Sequence, residues 1–365
     1  MKIGIATMPL CANYGGTLQN YALQKVLTDL GHEPITLRLA TGYQGVSKAE
    51  FLFLRYPERL AKHLVKRLIG RPSLPPEPYD AWKKSVSGME RFVTEHIQTT
   101  PYLREITLDA IDKYGIEAVV VGSDQIWRPS VLNVLNNYFC GFAKDRDIPR
   151  ISYAASFALD KWPFNPEMTA QIKPLIRQFK AVSVRERNAV DLCRENLDVE
   201  AQWVLDPTML LDKEDYCKLC EAVPKSDKRF VFAYLLDKSP EKVEMAERVG
   251  KACGCEVKYI TANVSAEHTI EKWLASFRDA DYVVTDSFHG TAFSLIFNKQ
   301  FYCFYNPKRG NGRMDSLKLL TGLNDRFITS ANDMTAKALD YNAFADKIQE
   351  MKQKSLRFLG TQLEA

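Results

Sequence analysis

Tyr282-Val283-Val284-Thr285, then Asp286-Ser287-Phe288-His289-Gly290, then the apolar runs 291–297 and 301–304, form the stretch that decides the fold. The first four residues are short, β-branched and buried in character. The run 291–297 has helical length, and 301–304 is again a strand candidate. Strand, tight polar turn, helix, strand is a βαβ unit. The turn lies at the carboxyl end of a strand, where open α/β sheets hold their ligands. It carries Asp286, Ser287 and His289, then Gly290, which lets a ligand approach the backbone. A helix N-terminus at Thr291 follows, which suits an anion. Histidine titrates near neutrality and serves acid/base work; the plainer reading of His289 is a buried structural residue. The other four histidines, His32, His63, His96 and His268, have no comparable turn around them. The candidate active site is therefore expected here.

The same alternation extends outward. In the second half, strands are expected at 230–236, 256–260, 282–285 and 301–304, with helices at 240–253, 270–277 and 291–297 between them. A last amphipathic helix is expected from 341 to 358. In the first half, the strand 3–6 leads into a polar loop, 11–17, a helix 18–30 closed by Gly31, and a strand 35–39. G-x-G-x-x-G is absent, so a dinucleotide fingerprint is not supported. Gly15-Gly16 reads either as a tight turn or as a place where a substrate meets the backbone. Further strands are expected at 118–121, 151–155, 181–184 and 203–205, with helices at 166–179 and up to Arg194. Residues 41–100 break the rhythm with a basic apolar stretch, a proline cluster and a second helix, 79–96, and read as an insertion. The expected organisation is an N-terminal domain, 1–207, carrying the insertion 41–100; a C-terminal domain, 208–340; and a C-terminal helix, 341–365. Two α/β domains in tandem imply a cleft between them.

Composition agrees with such a protein. The 365 residues suit two domains, and 46% hydrophobic content supports real cores. A net charge of +4 is too small to imply nucleic acid. The eight cysteines are scattered; Cys217/Cys220 and Cys253/Cys255 are the close pairs, with no matching ligands for zinc. No metal is expected, and free thiols are. Met1 to Ile5 runs directly into a strand, and no apolar run reaches transmembrane length, so a cytoplasmic protein is expected.

Five motifs carry a resemblance. They are Asn13-Tyr14-Gly15-Gly16-Thr17-Leu18-Gln19-Asn20-Tyr21-Ala22-Leu23, Val121-Gly122-Ser123-Asp124-Gln125-Ile126-Trp127, Ser183-Val184-Arg185-Glu186-Arg187, Asp206-Pro207-Thr208 and Thr285-Asp286-Ser287-Phe288-His289-Gly290-Thr291. Singly weak, together and in this order they resemble the polysaccharide pyruvyl transferase family over almost the whole chain. The resemblance implies an α/β fold of two Rossmann-like domains facing across a cleft, GT-B-like. It implies phosphoenolpyruvate as donor, a sugar as acceptor, and a cyclic ketal and phosphate as products, with no cofactor beyond that co-substrate. His289 is the expected acid/base, with Asp286 orienting it or bracing the turn. Arg185 resembles the family's anion-binding Arg; the alternative is a salt bridge at a helix start. Ser287, Gly290, Thr291 and Arg313, the last in a glycine-rich loop, complete the expected donor side. Asn13, Tyr14, Gly15, Gly16, Asp124, Gln125 and Trp127 form the expected acceptor side, with Trp127 either stacking on a sugar or packing in the core. Several branches of the family have Arg where this chain has Ser287, so either another cation holds the donor carboxylate or the donor differs. The alternatives are a GT-B glycosyltransferase using a nucleotide sugar and a non-catalytic sugar-binding protein of the same fold.

One further reading concerns the insertion. In the stretch Phe51 to Arg71, Leu60, Leu64 and Leu68 recur on one side of a helix, with Arg59, Lys62, Lys66 and Arg67 over the rest. Such a helix suits an anionic membrane surface, where a lipid-linked or free glycan acceptor would be met. Otherwise it is an ordinary surface helix packing its Leu stripe on the domain.

Overall fold

Apolar strands alternating with amphipathic helices close into two parallel sheets in the computed structural model, which describes residues 1–11, 13–131, 133–261, 269–306, 310–333 and 337–364. The first sheet holds β1 (Lys2–Ala6), β2 (Glu33–Thr36), β3 (Ala118–Asp124), β4 (Arg150–Ala155), β5 (Ala181–Val184) and β6 (Ala201–Trp203). Their order is β2-β1-β3-β4-β5-β6, all parallel, with Ile5 opposite Val120 and Val121 opposite Ser152. The second sheet holds β7 (Phe230–Leu235), β8 (Glu256–Thr261), β9 (Tyr282–Thr285), β10 (Gln300–Phe304) and β11 (Phe327–Ile328). Its order, β11-β10-β9-β7-β8, is again all parallel, with Tyr234 opposite Thr285. β3, β4 and β7 are buried along their whole length. Strands covered by helices on both faces need such unbroken apolar runs, and these have them.

Each sheet is wound in both directions from a central pair, β1/β3 in the first and β7/β9 in the second. The carboxyl ends of such pairs open a crevice. One apolar cluster runs beneath both: Ile3, Val120 and Tyr153 of the first sheet join Tyr14, Trp273, Phe232, Val283 and Phe293. A short helix, Pro207–Leu210, follows Asp206, near which the boundary is expected. The last helix, Asn342–Leu363, returns to the first sheet: Leu205 N–H donates to Ser355 Oγ at 2.9 Å, and Phe358 packs on Tyr153. No helix among the described residues is long and apolar enough to cross a membrane.

Three helix starts differ from expectation, and all three border the crevice. The first helix spans Tyr14–Asp29 rather than beginning at Leu18. Asn13 is its cap, its side chain accepting from Gly16 N–H at 3.1 Å, so Gly15-Gly16 is the first helical turn and not a loop. The helix expected from Thr291 spans Phe288–Ile296, capped by Ser287, whose hydroxyl accepts from Gly290 N–H at 3.3 Å. Arg313 lies in the first turn of the helix Gly312–Thr321, not in a loop.

Candidate active site

The two crevices face each other and enclose a cavity of about 130 Å³. Asn13, Asp124 and Gln125 line it from the ends of β1 and β3. Tyr234, Leu236, Asp286, Ser287, Phe288 and His289 line it from the ends of β7 and β9, and Asn306, Gly310, Arg313 and Met314 close it. Asn13, Asp124 and Gln125 also line a neighbouring groove of about 390 Å³, whose far wall is Leu39, Ala40, Thr41 and Arg104. A 260 Å³ hollow between Leu295 and Phe344 holds none of the expected site residues.

His289 sits in the first turn of its helix, 7% exposed. Its imidazole lies against the backbone of Gly15: a Cβ there would come within 2.0 Å of Nδ1. Nε2 stands 3.7 Å from Asp206 Oδ2, an ion-pair separation, and makes no hydrogen bond among the described residues. Asp206 is fully buried. Its Oδ1 accepts from Thr208 N–H and Oγ–H at 3.0 and 2.7 Å, and its Oδ2 from Arg185 at 2.8 Å. Burial alone would raise this carboxyl; the neighbouring His289 and Arg185 outweigh it and hold the acid well below the usual carboxylate range.

The structure decides between the two readings of Asp286, Arg185 and Trp127, and the expected roles of Tyr14, Gly290 and Thr291 need correction. Asp286 does not orient His289. Its carboxylate accepts from Leu236 N–H at 2.6 Å, Asp237 N–H at 3.1 Å and Lys242 Nζ at 2.6 Å, so it braces the β7/β9 junction. Asp206 is the carboxylate that meets the imidazole. Arg185 is not a cation presented to the cleft. It is buried, its guanidinium bonded to Asp206 and to Asp124 (3.1 Å) and seated 4.5 Å over the Phe288 ring. Trp127 is fully buried, stacked on Phe139 at 5.1 Å and donating to Tyr138 C=O, and cannot meet a sugar. Tyr14 is buried too, its ring stacked on Trp273 at 5.3 Å across the two halves. Gly290 admits no ligand: its Cα faces Thr285, whose Oγ1 would lie 2.2 Å from a Cβ. Thr291 is fully buried and donates to Ser287 C=O.

The remaining expected residues reach the cavity or shape it. Gly16 packs on Asn13 and Asp124, which a Cβ would approach to 2.8 and 3.3 Å. Asp124 adopts φ +73° at the end of β3, a left-handed conformation that aims its carboxylate at Arg185 and Asn13. Gln125 accepts from Arg128 at 3.1 Å. Arg313 reaches the wall from its helix start. Burial, and after it the like charge of Arg185, lowers its guanidinium to about 10, still charged at neutral pH. Lys308 and Arg309 of the same run lie outside the described residues, as do Ala12 and His268. Sequence reasoning missed Asp206 as a partner of His289, and Lys242 and Asn306 altogether. The visible signal for Asp206 was an acid directly after the apolar Val204-Leu205. Lys242 had none.

Residues 13–308 match the family described as polysaccharide pyruvyl transferase. Among curated proteins none matches the chain. Similar solved structures include UDP-GlcNAc 2-epimerase from Methanocaldococcus jannaschii, 10% identical over 96% of this chain and 93% of that one, with a TM-score of 0.45. UDP-GlcNAc 2-epimerase from Neisseria meningitidis bound to UDP-GlcNAc is 9% identical over 98% and 100%, TM-score 0.46. The wall teichoic acid polymerase TagF is 9% identical over 99% and 87%, TM-score 0.45.

Proposed function

Since the chain belongs to the polysaccharide pyruvyl transferase family, we propose that it moves the pyruvyl group of phosphoenolpyruvate onto two hydroxyls of a sugar in a cell-surface polysaccharide precursor. The observation that carries this reading is one cavity between the two crevices. It brings together His289, Arg313 and the Ser287-capped start of a helix, and it shares Asn13, Asp124 and Gln125 with a larger groove of mixed polar and apolar lining. The inner cavity suits a small anion that carries both a carboxylate and a phosphate: Arg313 supplies charge, and the N–H groups of the Phe288–Ile296 helix start favour phosphate. With Ser287 in place of a cation, Arg313 takes the donor carboxylate. The groove, with Gln125 and Asn13 at its inner end, takes the sugar.

In the reaction, His289 gives a proton to the methylene carbon of the donor, and an oxocarbenium-like centre forms at the adjacent carbon. One sugar hydroxyl bonds that carbon and loses its proton to His289. The bond to phosphate oxygen breaks and phosphate leaves. The second hydroxyl then bonds the same carbon and closes the ketal. The two hydroxyl protons balance the one fixed in the new methyl group and the one leaving with phosphate. Asp206 stabilises the imidazolium at each stage, and acid/base help of this kind is worth ~10²–10⁴-fold.

Thermal unfolding with phosphoenolpyruvate and, separately, nucleotide sugars tests the proposal. Phosphoenolpyruvate at 100 times its dissociation constant should add about 2.7 kcal/mol. Stabilisation by a nucleotide sugar alone would instead identify a glycosyltransferase, and by neither a protein without this chemistry.

A further inference from the structure

The insertion turns its apolar residues away from the protein. Among the described residues, every exposed large hydrophobic side chain except Leu30 and Leu319 lies between Leu52 and Leu74. Phe53 is 79% exposed, Leu64 51% and Leu68 86%. Single exposed leucines are ordinary; a contiguous cluster marks an interaction surface. Of the Leu stripe, Leu60 is half-buried, but Leu64 and Leu68 do not pack on the domain as an ordinary surface helix would have them.

The reason lies at the root of the insertion. Phe51 is buried among aromatic rings, 4.4 Å from Tyr43 and 5.0 Å from Tyr79, and Arg59 lies 4.3 Å over Tyr43. These contacts fix which side of the helix Tyr56–Leu68 faces inward, and His63 is its one buried residue. At 3.6 residues per turn, Ala61, Leu64, Val65 and Leu68 then share the outward face, flanked by Lys62 on one side and Arg67 on the other, while Lys66 lies nearer the underside, where it lines the hollow with Arg59, Lys62 and His63. Between Arg55 and Arg71 six basic residues, Arg55, Arg59, Lys62, Lys66, Arg67 and Arg71, stand against one acid, Glu58, which pairs with Lys62 at 2.5 Å, while Arg55 pairs with Glu50 of the preceding turn at 3.5 Å.

We propose that this face docks on an anionic phospholipid bilayer, with Phe53, Leu64 and Leu68 entering the interface and the basic flanks meeting the headgroups. The charge selects this occupant. A second copy would set like-charged faces against each other, which costs rather than stabilises. The position gives docking a use. Thr41 lines the groove beside the inner cavity, and the next residues, Gly42 and Tyr43, line the hollow beneath this helix. Arg104 of the groove wall reaches Glu50 of the insertion at 3.9 Å. A sugar held on a membrane lipid would thus meet the groove while its carrier stays in the bilayer. That use rests on the proposed acceptor role of the groove; the docking does not.

Flotation with vesicles tests it. The protein should bind vesicles of equal parts phosphatidylglycerol and phosphatidylcholine at low salt, and not phosphatidylcholine alone. Binding should weaken as the Debye length shrinks from about 10 Å at 0.1 M salt to about 3 Å at 1 M. Combining Lys62→Glu, Lys66→Glu and Arg67→Glu should cut partitioning at least ~100-fold. Combining Phe53→Ser and Leu68→Ser should also weaken it, with unchanged melting temperature. No binding to anionic vesicles at low salt overturns the proposal, as does binding that survives both variants. So does a solution dimer that Phe53→Ser with Leu68→Ser turns into monomers. Stabilisation by phosphoenolpyruvate is measured on the same samples, so failure of the site and failure of docking are told apart.

Discussion

The absence of one methyl group holds His289 where it is. Gly15 comes from the first helix and His289 from the other half of the chain, and the imidazole lies directly on the glycine. Gly15→Ala must displace the ring from its place beside Asp206. Turnover should fall towards that of His289→Ala, a loss of at least ~10², while stability drops by only ~1–3 kcal/mol from overpacking. Wild-type turnover in Gly15→Ala would remove His289 from the reaction. At this scale the sequence was half legible. A histidine among Asp286, Ser287 and Gly290 after a buried strand announced itself. Its carboxylate did not, because Asp206-Pro207-Thr208 reads locally as a turn and the pairing exists only once both sheets are folded. Arg185 stood out as important for the same reason that it is unavailable. A buried guanidinium is kept by two carboxylates, and a motif names the arginine without naming them.

Helix starts decide what faces the cleft. Most strands could be read to within a residue, since unbroken β-branched runs have few alternatives. But the strand expected at 203–205 spans Ala201–Trp203, that expected at 35–39 spans Glu33–Thr36, that expected at 118–121 runs on to Asp124, and the short Phe327–Ile328 was not read. The caps were harder: glycines after Asn13 and Ser287 look like loop residues, yet each sits inside a first turn, where the cap side chain accepts from one N–H, that of Gly16 in the first helix and of Gly290 in the second. Trp127 shows the same limit, its motif being polar at Asp124-Gln125 and core one turn later. The helix Gly312–Thr321 is a third case. Its Asn311 does not cap it by side chain. Asp160, from the other half, does so by accepting from Asn311 N–H at 3.1 Å and Gly312 N–H at 2.7 Å. Arg313 follows at once, so this cap sets where the cation points. Asp160→Ala should cost about 1 kcal/mol and raise the phosphoenolpyruvate KM more than it lowers kcat. Equal loss in both, or none in KM, would detach Arg313 from the donor.

Across the whole molecule, Asp206, Arg185 and Asp124 form one buried set of charges, with His289 from the other half 3.7 Å from Asp206. Asp206, held below its usual range, links this set to pH. A depressed folded value gives stability that is complete above the unfolded value, about 3.9. That stability is lost as pH falls through the folded one. Urea unfolding should therefore show stability declining as pH drops below about 4. Asp206→Asn should begin less stable by ~3–5 kcal/mol and decline less steeply over that window; equal slopes would show that Asp206 is not the linked group. Beneath these charges runs the apolar cluster that joins both sheets through Tyr14 and Trp273. Its consequence is a limit on modularity. Although each half repeats the same winding, neither is a tradable part: a gene cut between the sheets would yield two pieces with bared aromatic faces. Recombination between relatives can then succeed only where Tyr14, Trp273 and their neighbours are exchanged as a set.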